Sequence, residues 1–175
     1  MAPARAPGAP GAPGAPAAFT DLRTRSAYAE GAVLLDYKAV INAISTGLRR
    51  GVRAFPIHAF DRDYLALKAD SYQWFADKYI DHVLSRMVYR GQSGVFEDCD
   101  DFARVAVGQM ILGAIAERMP HQPAFGEIRY DTQRGGHHMA NIAVDSKRKV
   151  WLYEPQNRKW TDDLKAIAEV IEVRL

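Results

Sequence analysis

The sequence has a single cysteine, Cys99, among 175 residues. One cysteine excludes a disulfide within the chain and a zinc site built on paired cysteines. The sequence also lacks any run near the ~20 apolar residues that span a bilayer. Proline and glycine interrupt the N-terminus where a signal peptide would need its apolar segment. We therefore expect a soluble, cytoplasmic protein, with export by a route that leaves no such signal as the open alternative.

An excess of charge of one sign is also lacking. The 23 basic and 21 acidic residues leave a formal net charge of +2. This balance gives no indication of a nucleic-acid partner or of a membrane surface. Hydrophobic residues make up 48% of the chain, which is enough for a core without disulfides or a structural metal.

The N-terminal segment is low in complexity. Residues 1–18 read MAPARAPGAPGAPGAPAA, and such a proline- and glycine-rich tract cannot form a packed element. We expect a disordered tail that acts as a tether, followed by a single domain over residues 19–175.

Hydrophobic periodicity predicts helices first and strands afterwards. This order predicts an α+β fold with N-terminal helices packed on a C-terminal antiparallel β-sheet. Residues 162–168 fit either a helix or the approach to a closing strand. The predicted helices are 35–50, 71–90 and 98–117, and the predicted strands are 125–132, 138–145 and 150–154, with a further short strand near 59–65.

Cys99 lies at the predicted start of the third helix. Free backbone N–H groups and the helix dipole favour a thiolate there and can stabilise an oxyanion. The alternative is a buried structural thiol, the commoner fate of a lone cysteine. Four carboxylates oppose ionisation of the thiol, and a bound cation would offset them; they belong to Glu97, Asp98, Asp100 and Asp101.

Two histidines open the second predicted strand. Strand alternation sends His137 and His138 to opposite faces, so only one can reach Cys99. His138 is the general base if the face shared with Ala140 packs on the helix; otherwise the two histidines face solvent at a turn. Glu154 ends the next strand, where it can orient the imidazole, although taken alone it would be an exposed strand-end residue.

Three short segments taken together resemble a known group of enzymes. The segments 98–103 (DCDDFA), 138–141 (HMAN) and 154–156 (EPQ) are similar to the transglutaminase-like and papain-like cysteine peptidase superfamily. The likeness is closest to the protease domains of Marasmius-type mushroom agglutinins and their bacterial and phage relatives, over about residues 30–175. Two departures are the absence of anything like the agglutinin's sugar-binding domain and of papain's glycine-cysteine signature.

The resemblance implies a papain/transglutaminase-like fold and a function. It implies a thiol hydrolase, a cysteine peptidase that cleaves polypeptide substrates through a thioester acyl-enzyme with a Cys99–His138–Glu154 triad. It also makes Gln92 a candidate for the oxyanion hole, with contact with solvent in a loop as the alternative. Calcium dependence is implied as well, and its candidate oxygen ligands are Asp101, Gln156 and Asn157.

Other functions stay open at this point. One is a catalytically silent binding module on the same papain/transglutaminase-like fold, and another is a transglutaminase or other acyltransferase. A metal site built from Cys99, His137 and His138 is disfavoured, because the two histidines diverge on a strand. The sequence leaves the oligomeric state open.

Overall fold

The computed structural model describes residues 30–48, 55–89 and 98–175. Within these ranges the chain has the predicted α+β organisation, with most helical residues before the main strands. The predicted disordered tail and Gln92 lie outside the described residues. The elements in chain order are β1 (Val33–Asp36), α1 (Tyr37–Leu48), β2 (Ile57–His58), β3 (Asp63–Ala66), α2 (Ala69–Phe75), a π-helical turn (Ala76–Ile80), α3 (Asp81–Leu84), α4 (Cys99–Ala116), β4 (Phe125–Thr132), β5 (His137–Val144), β6 (Val150–Glu154), β7 (Lys159–Thr161) and β8 (Ile167–Arg174).

The main sheet has six strands in the order β2-β8-β4-β5-β6-β7. Its neighbours pair antiparallel, except that β2 pairs parallel with β8 through Ile57 and His58. The prediction of an antiparallel sheet is therefore wrong in this one pairing, and the sheet is mixed. Strands β1 and β3 form a separate two-stranded antiparallel sheet.

Helices cover both faces of the main sheet. One core cluster contains Val40 and Ile44 of α1 together with Ile142 of β5. The other contains Phe102 of α4 and Ala143 of β5. Because successive residues of a strand point to opposite faces, β5 serves two cores at once, which explains its almost continuous apolar sequence.

The helix α4 begins and ends within a residue of its predicted bounds. Asp98 is its N-cap: the carboxylate accepts from the N–H of Asp100 at 3.2 Å, and the N–H of Asp98 donates to Asp101 at 3.4 Å. This capping box satisfies backbone donors that the first helical turn would leave free. The acids around Cys99 therefore have a structural role at the helix start.

The predicted second helix is interrupted. It begins at Ala69 rather than Ser71, contains a π-helical turn over Ala76–Ile80, and ends at Leu84. The turn lies beside α4, where Lys78 Nζ and Tyr79 Oη contact a carboxylate oxygen of Glu117 at 2.7 and 2.5 Å. The apolar spacing of this segment did not indicate the π-helical turn, which is the usual single-turn insertion within an α-helix.

Residues 162–168 were expected to form either a helix or the approach to a closing strand. The helix is not formed, because local turns precede the strand. The N–H of Asp163 donates to Thr161 Oγ1 at 3.0 Å, and the N–H of Lys165 donates to Asp163 Oδ1 at 3.1 Å. Such side-chain bonds compete with helix formation. The closing strand β8 follows, as the alternative interpretation of this segment predicted. Within the described ranges, no helix combines the length and apolar character needed to cross a membrane.

Two glycines give opposite expectations for stability. A methyl group at Gly126 of β4 would lie 2.0 Å from the backbone oxygen of Arg174, whereas one at Gly108 of α4 would meet nothing within 4 Å. We expect Gly126→Ala to lower the free energy of unfolding by at least about 2 kcal/mol. Gly108→Ala should raise it by about 1 kcal/mol, through helix propensity. Urea unfolding followed by tryptophan fluorescence measures both, and a neutral Gly126→Ala would contradict the close approach of β4 and β8.

Candidate functional site

Three side chains from three elements meet at one end of the sheet. Cys99 is the first residue of α4, His138 is the second of β5, and Glu154 is the last of β6. His138 Nε2 lies 2.6 Å from Glu154 Oε2, and the two side chains are 19% and 23% exposed. The Cys99 thiol lies close enough to the imidazole to raise its pKa, and both residues line the same groove. The three residues predicted from sequence are therefore in contact.

The contact arises by a different route from the one predicted. The helix α4 packs on the face of β5 that carries Asn141 and Ala143, whereas Ala140 lies in the core under α1. The face argument for His138 is therefore wrong. His138 is near the beginning of β5, at the edge of this packing, and Cys99 at the start of α4 reaches its ring there.

The surroundings of His138 favour its charged form. Burial lowers the pKa of the imidazole, but the Cys99 thiol, the hydrogen bond to Glu154 and the charge of Glu154 outweigh burial and raise the pKa to about 9. The ring of Tyr130 packs edge-on against the imidazole, with centroids 5.4 Å apart. The pKa of Tyr130 is raised to about 12 by burial and by the nearby Glu154. An imidazolium–carboxylate pair therefore forms the centre of the site at neutral pH.

His137 is on the outside of the site. Its Nδ1 lies 2.5 Å from Asp131 Oδ1, and its side chain is 70% exposed. Among the described His, Cys, Asp and Glu residues, the group close enough to share a metal ion is Asp98, Asp100 and Asp101. That group contains neither histidine and no thiol, so the described residues do not support a Cys99–His137–His138 metal site.

The acids next to Cys99 already have cationic and hydrogen-bonding partners. Arg104 forms ion pairs with Asp100 and, at 3.8 Å, with Asp101. The side chain of Asp98, which can accept a hydrogen bond from protonated Asp100, raises the pKa of Asp100, and burial adds to that rise. These contacts offset part of the negative charge that opposes ionisation of the Cys99 thiol.

The remaining predicted ligands lie in the turn after β6. Gln156 and Asn157 follow Pro155 there, and the backbone N–H of Gln156 donates to Glu154 Oε1 at 3.4 Å. Gln156 Nε2 is buried without a hydrogen-bond partner among the described residues. The turn thus helps to hold the carboxylate that pairs with His138.

The site opens into a groove of about 470 Å³. Several residues of the site and its groove were not predicted from the sequence, although two signals were available. Arg104 follows Asp100 by one helical turn, the spacing of an ion pair, and Tyr130 faces His138 directly across the β4–β5 pairing. Tyr89 and Arg129 had no such signal, because they reach the groove through the tertiary fold. The groove is lined by Tyr89, Asp98, Cys99, Asp100, Arg104, Arg129, His137, His138 and Met139.

The fold has counterparts among solved structures, although the sequence matches no family model and no curated protein. One is PSL1a in complex with E64, with a TM-score of 0.64 and 20% identity. Another is Polyporus squamosus lectin bound to the human-type influenza-binding epitope Neu5Acα2-6Galβ1-4GlcNAc, with a TM-score of 0.61 and 20% identity. The matches cover 81% of this chain and 51% and 49% of those chains, so this chain spans about half their length.

The comparison corrects the functional interpretation of the sequence. The assignment to transglutaminase-like cysteine peptidases, with hydrolase activity on polypeptide substrates, is wrong. One of the solved structures that share the fold is a lectin bound to a glycan epitope. At 20% identity the likeness establishes a shared fold. The proximity of Cys99, His138 and Glu154 is a geometric finding and does not depend on that assignment.

The raised pKa of His138 has a measurable consequence. We expect the His138 imidazole to titrate near pH 9 in NMR spectra, against about 6.5 for an unperturbed histidine. Glu154→Gln should lower this midpoint by at least one pH unit, because it removes the carboxylate that stabilises the imidazolium. His137→Gln is the matched control and should leave the midpoint unchanged. A His138 midpoint near 6.5 in the unmodified protein would contradict the described pairing.

The same shift links stability to pH. The folded pKa exceeds the unfolded one, so the stabilising contribution is complete below about pH 6.5 and is lost as the pH rises through about 9. Its size is on the order of 3 kcal/mol. Urea unfolding at pH 6 and pH 9.5 should reveal this loss in the unmodified protein and a smaller one in Glu154→Gln.

Proposed function

We propose that this chain is a catalytically silent binding module that takes a glycan in the groove at the start of α4. A papain-like arrangement, with a thiol on a helix start and an imidazole on a strand, serves here as a scaffold for binding. Cys99 and His138 line the groove, and Glu154 holds His138 from behind through their hydrogen bond. The observation that carries the proposal is this preorganised groove, in a fold shared with a glycan-bound lectin.

The chemistry of the groove suits a ligand rich in hydroxyl groups. Carboxylates of Asp98 and Asp100 accept hydrogen bonds, and the guanidinium groups of Arg104 and Arg129 donate them. Tyr89 is 48% exposed and offers an aromatic face for the C–H side of a sugar ring. A groove of about 470 Å³ lies within the usual range for small-ligand sites.

The pairing of His138 with Glu154 supports binding by fixing charge. A rigid ion pair orders the floor of the groove before a ligand arrives, so less conformational entropy is lost on binding. Glu154 offsets the positive charge of the imidazolium, and Asp100 and Asp101 offset that of Arg104, so Arg129 is the cation of the groove that meets an acidic group. This favours a sialylated glycan over its neutral core.

Isothermal titration calorimetry tests the proposal with Neu5Acα2-6Galβ1-4GlcNAc and with Galβ1-4GlcNAc. We expect the sialylated trisaccharide to bind more tightly, and Arg129→Ala to weaken that binding at least tenfold. Arg62→Ala is the control, since Arg62 is 91% exposed and does not line the groove. Because Cys99 is the only cysteine, protection of its thiol from alkylation by the bound glycan reports occupancy of this groove.

Two results would overturn the proposal. One is the absence of glycan binding together with unchanged alkylation of Cys99. The other is turnover of a substrate that is lost in Cys99→Ala, which would contradict catalytic silence. E64 serves as a second probe because the structural neighbour PSL1a forms a complex with it. Intact-mass measurement then distinguishes a covalent adduct on Cys99 from reversible occupancy.

We propose in addition that calcium binds beside this groove. The side-chain oxygens of Asp98, Asp100 and Asp101 lie within 4.8 Å of one another, and hard oxygen donors suit Ca²⁺. Asp101 is the central ligand of this proposal, and amide oxygens of Gln156 and Asn157 are the proposed further donors.

Calcium binding predicts a rise in the melting temperature of the protein with added Ca²⁺ and its reversal by chelator. We expect the shift to be lost in Asp101→Asn. Asp70→Asn is the control, because Asp70 also occupies a first helical turn but lies outside the acidic group. An equal shift in Asp101→Asn would contradict the site.

A further inference from the structure

A second groove lies beside α1, on the other covered face of the sheet. It measures about 630 Å³ and shares no lining residue with the groove at Cys99. Its walls come from three separate segments: the second half of α1, the turn between β5 and β6, and the connection between β7 and β8. Its floor is apolar and belongs to the core cluster under α1, through Ala43, Leu48, Val150, Leu164 and Ile167.

The turn between β5 and β6 is held rigidly by one buried carboxylate. Asp145 is 4% exposed, and its Oδ1 accepts from the N–H groups of Lys147 and Lys149 at 2.8 and 2.9 Å. Its Oδ2 accepts from the indole N–H of Trp151 at 2.9 Å. These bonds fix the backbone of the turn, and therefore the points from which Arg148 and Lys149 extend into the groove.

Arg148 occupies the left-handed position of this turn. Its φ is 61°, a conformation that glycine or asparagine adopts at lower cost than arginine. The conformation is held by the bond from its N–H to the Asp145 carbonyl at 2.8 Å. Arg118 and Arg158 also have a positive φ, so the conformation alone does not mark a site. What distinguishes Arg148 is that its side chain lines the groove.

The charges of the groove are unevenly paired. Lys149 forms an ion pair with Asp162. Within residues 30–48, 55–89 and 98–175, the side chains of Arg148 and Lys165 have neither an ion pair nor a hydrogen bond. Asp163 accepts only from the N–H of Lys165 in its own turn. Two cations are thus available to an anionic group, and one carboxylate has acceptor capacity left.

We propose that this groove binds an acidic saccharide, one or two sugar units that carry a carboxylate, sulfate or phosphate. Arg148 and Lys165 pair with the anionic group. The amide of Asn42, the hydroxyl of Thr46 and the carboxylate of Asp163 exchange hydrogen bonds with sugar hydroxyls. The apolar floor takes the C–H face of the ring. The site is separate from the groove at Cys99 and does not depend on the function proposed there.

NMR titration of the ¹⁵N-labelled protein tests the site. The probes are N-acetylneuraminic acid, glucose 6-phosphate and galactose 6-sulfate, and neutral galactose is the reference. We expect saturable shifts in the amides of residues 147–150 and 161–165, and weaker binding as salt is added. The acid that saturates these amides at the lowest concentration identifies the preferred anionic group.

Substitutions separate the site from general charge effects. Arg148→Asn keeps a residue that tolerates the left-handed backbone, so the fold is retained, and we expect at least a tenfold loss of affinity. Lys147→Gln removes a charge from the same turn but not from the groove lining, and should bind as the unmodified protein does.

Three outcomes would overturn the proposal. They are equal binding by Arg148→Asn, equal binding of neutral galactose, and the absence of shifts at residues 147–150 with all three acids. If, in that third case, the shifts are confined to residues around Cys99, the result would contradict the site beside α1 and support the site at Cys99. The two sites can therefore fail independently.

Discussion

The side-chain amide of Asn141 ties the nucleus of the fold together. Asn141 is fully buried, and its Nδ2 donates to the carbonyl of Ala103 in α4 at 2.9 Å and to that of Gly126 in β4 at 3.1 Å. These bonds join the first turns of α4 to two strands at once. Because Cys99 begins α4 and His138 lies three residues before Asn141, the same amide sets how far the thiol is from the imidazole. Its Oδ1 is buried without a hydrogen-bond partner among the described residues, so the two bonds from Nδ2 supply the stabilising contribution of this amide.

Charge near the groove is balanced locally. Glu154 holds His138 in its charged form, Arg104 lies against the acids of the helix start, and those acids cap the helix. Each group is stabilised by a neighbour no more than a few residues or one strand away. A site arranged in this way is ordered before any ligand arrives, which suits recognition of a polar molecule in water.

Much of this arrangement follows from sequence patterns, and the remainder depends on tertiary contacts. The helix α4 and the strands β4 to β6 were predictable because caps, turns and alternation act over a few residues. The π-helical turn and the pairing of β2 with β8 were not, since neither leaves a local signal. The contact of Cys99, His138 and Glu154 was predicted, but through the wrong face of β5. The order of the three reactive side chains along the chain indicated which residues meet. It did not indicate what the protein does, because function depends on the whole site and not on the fold or on residue order alone.

The place of β8 in the sheet has a consequence for how the molecule assembles during synthesis. This strand comes after all the others in the chain, yet it lies inside the sheet between β2 and β4. Until its residues leave the ribosome, β4 has an open edge and β2 has no partner in the main sheet. The nascent chain can form α4 and the β4–β5–β6 meander early, from contacts close in sequence. Completion of the sheet is then a late, long-range step, the kind that slows folding and leaves an exposed edge in the interval.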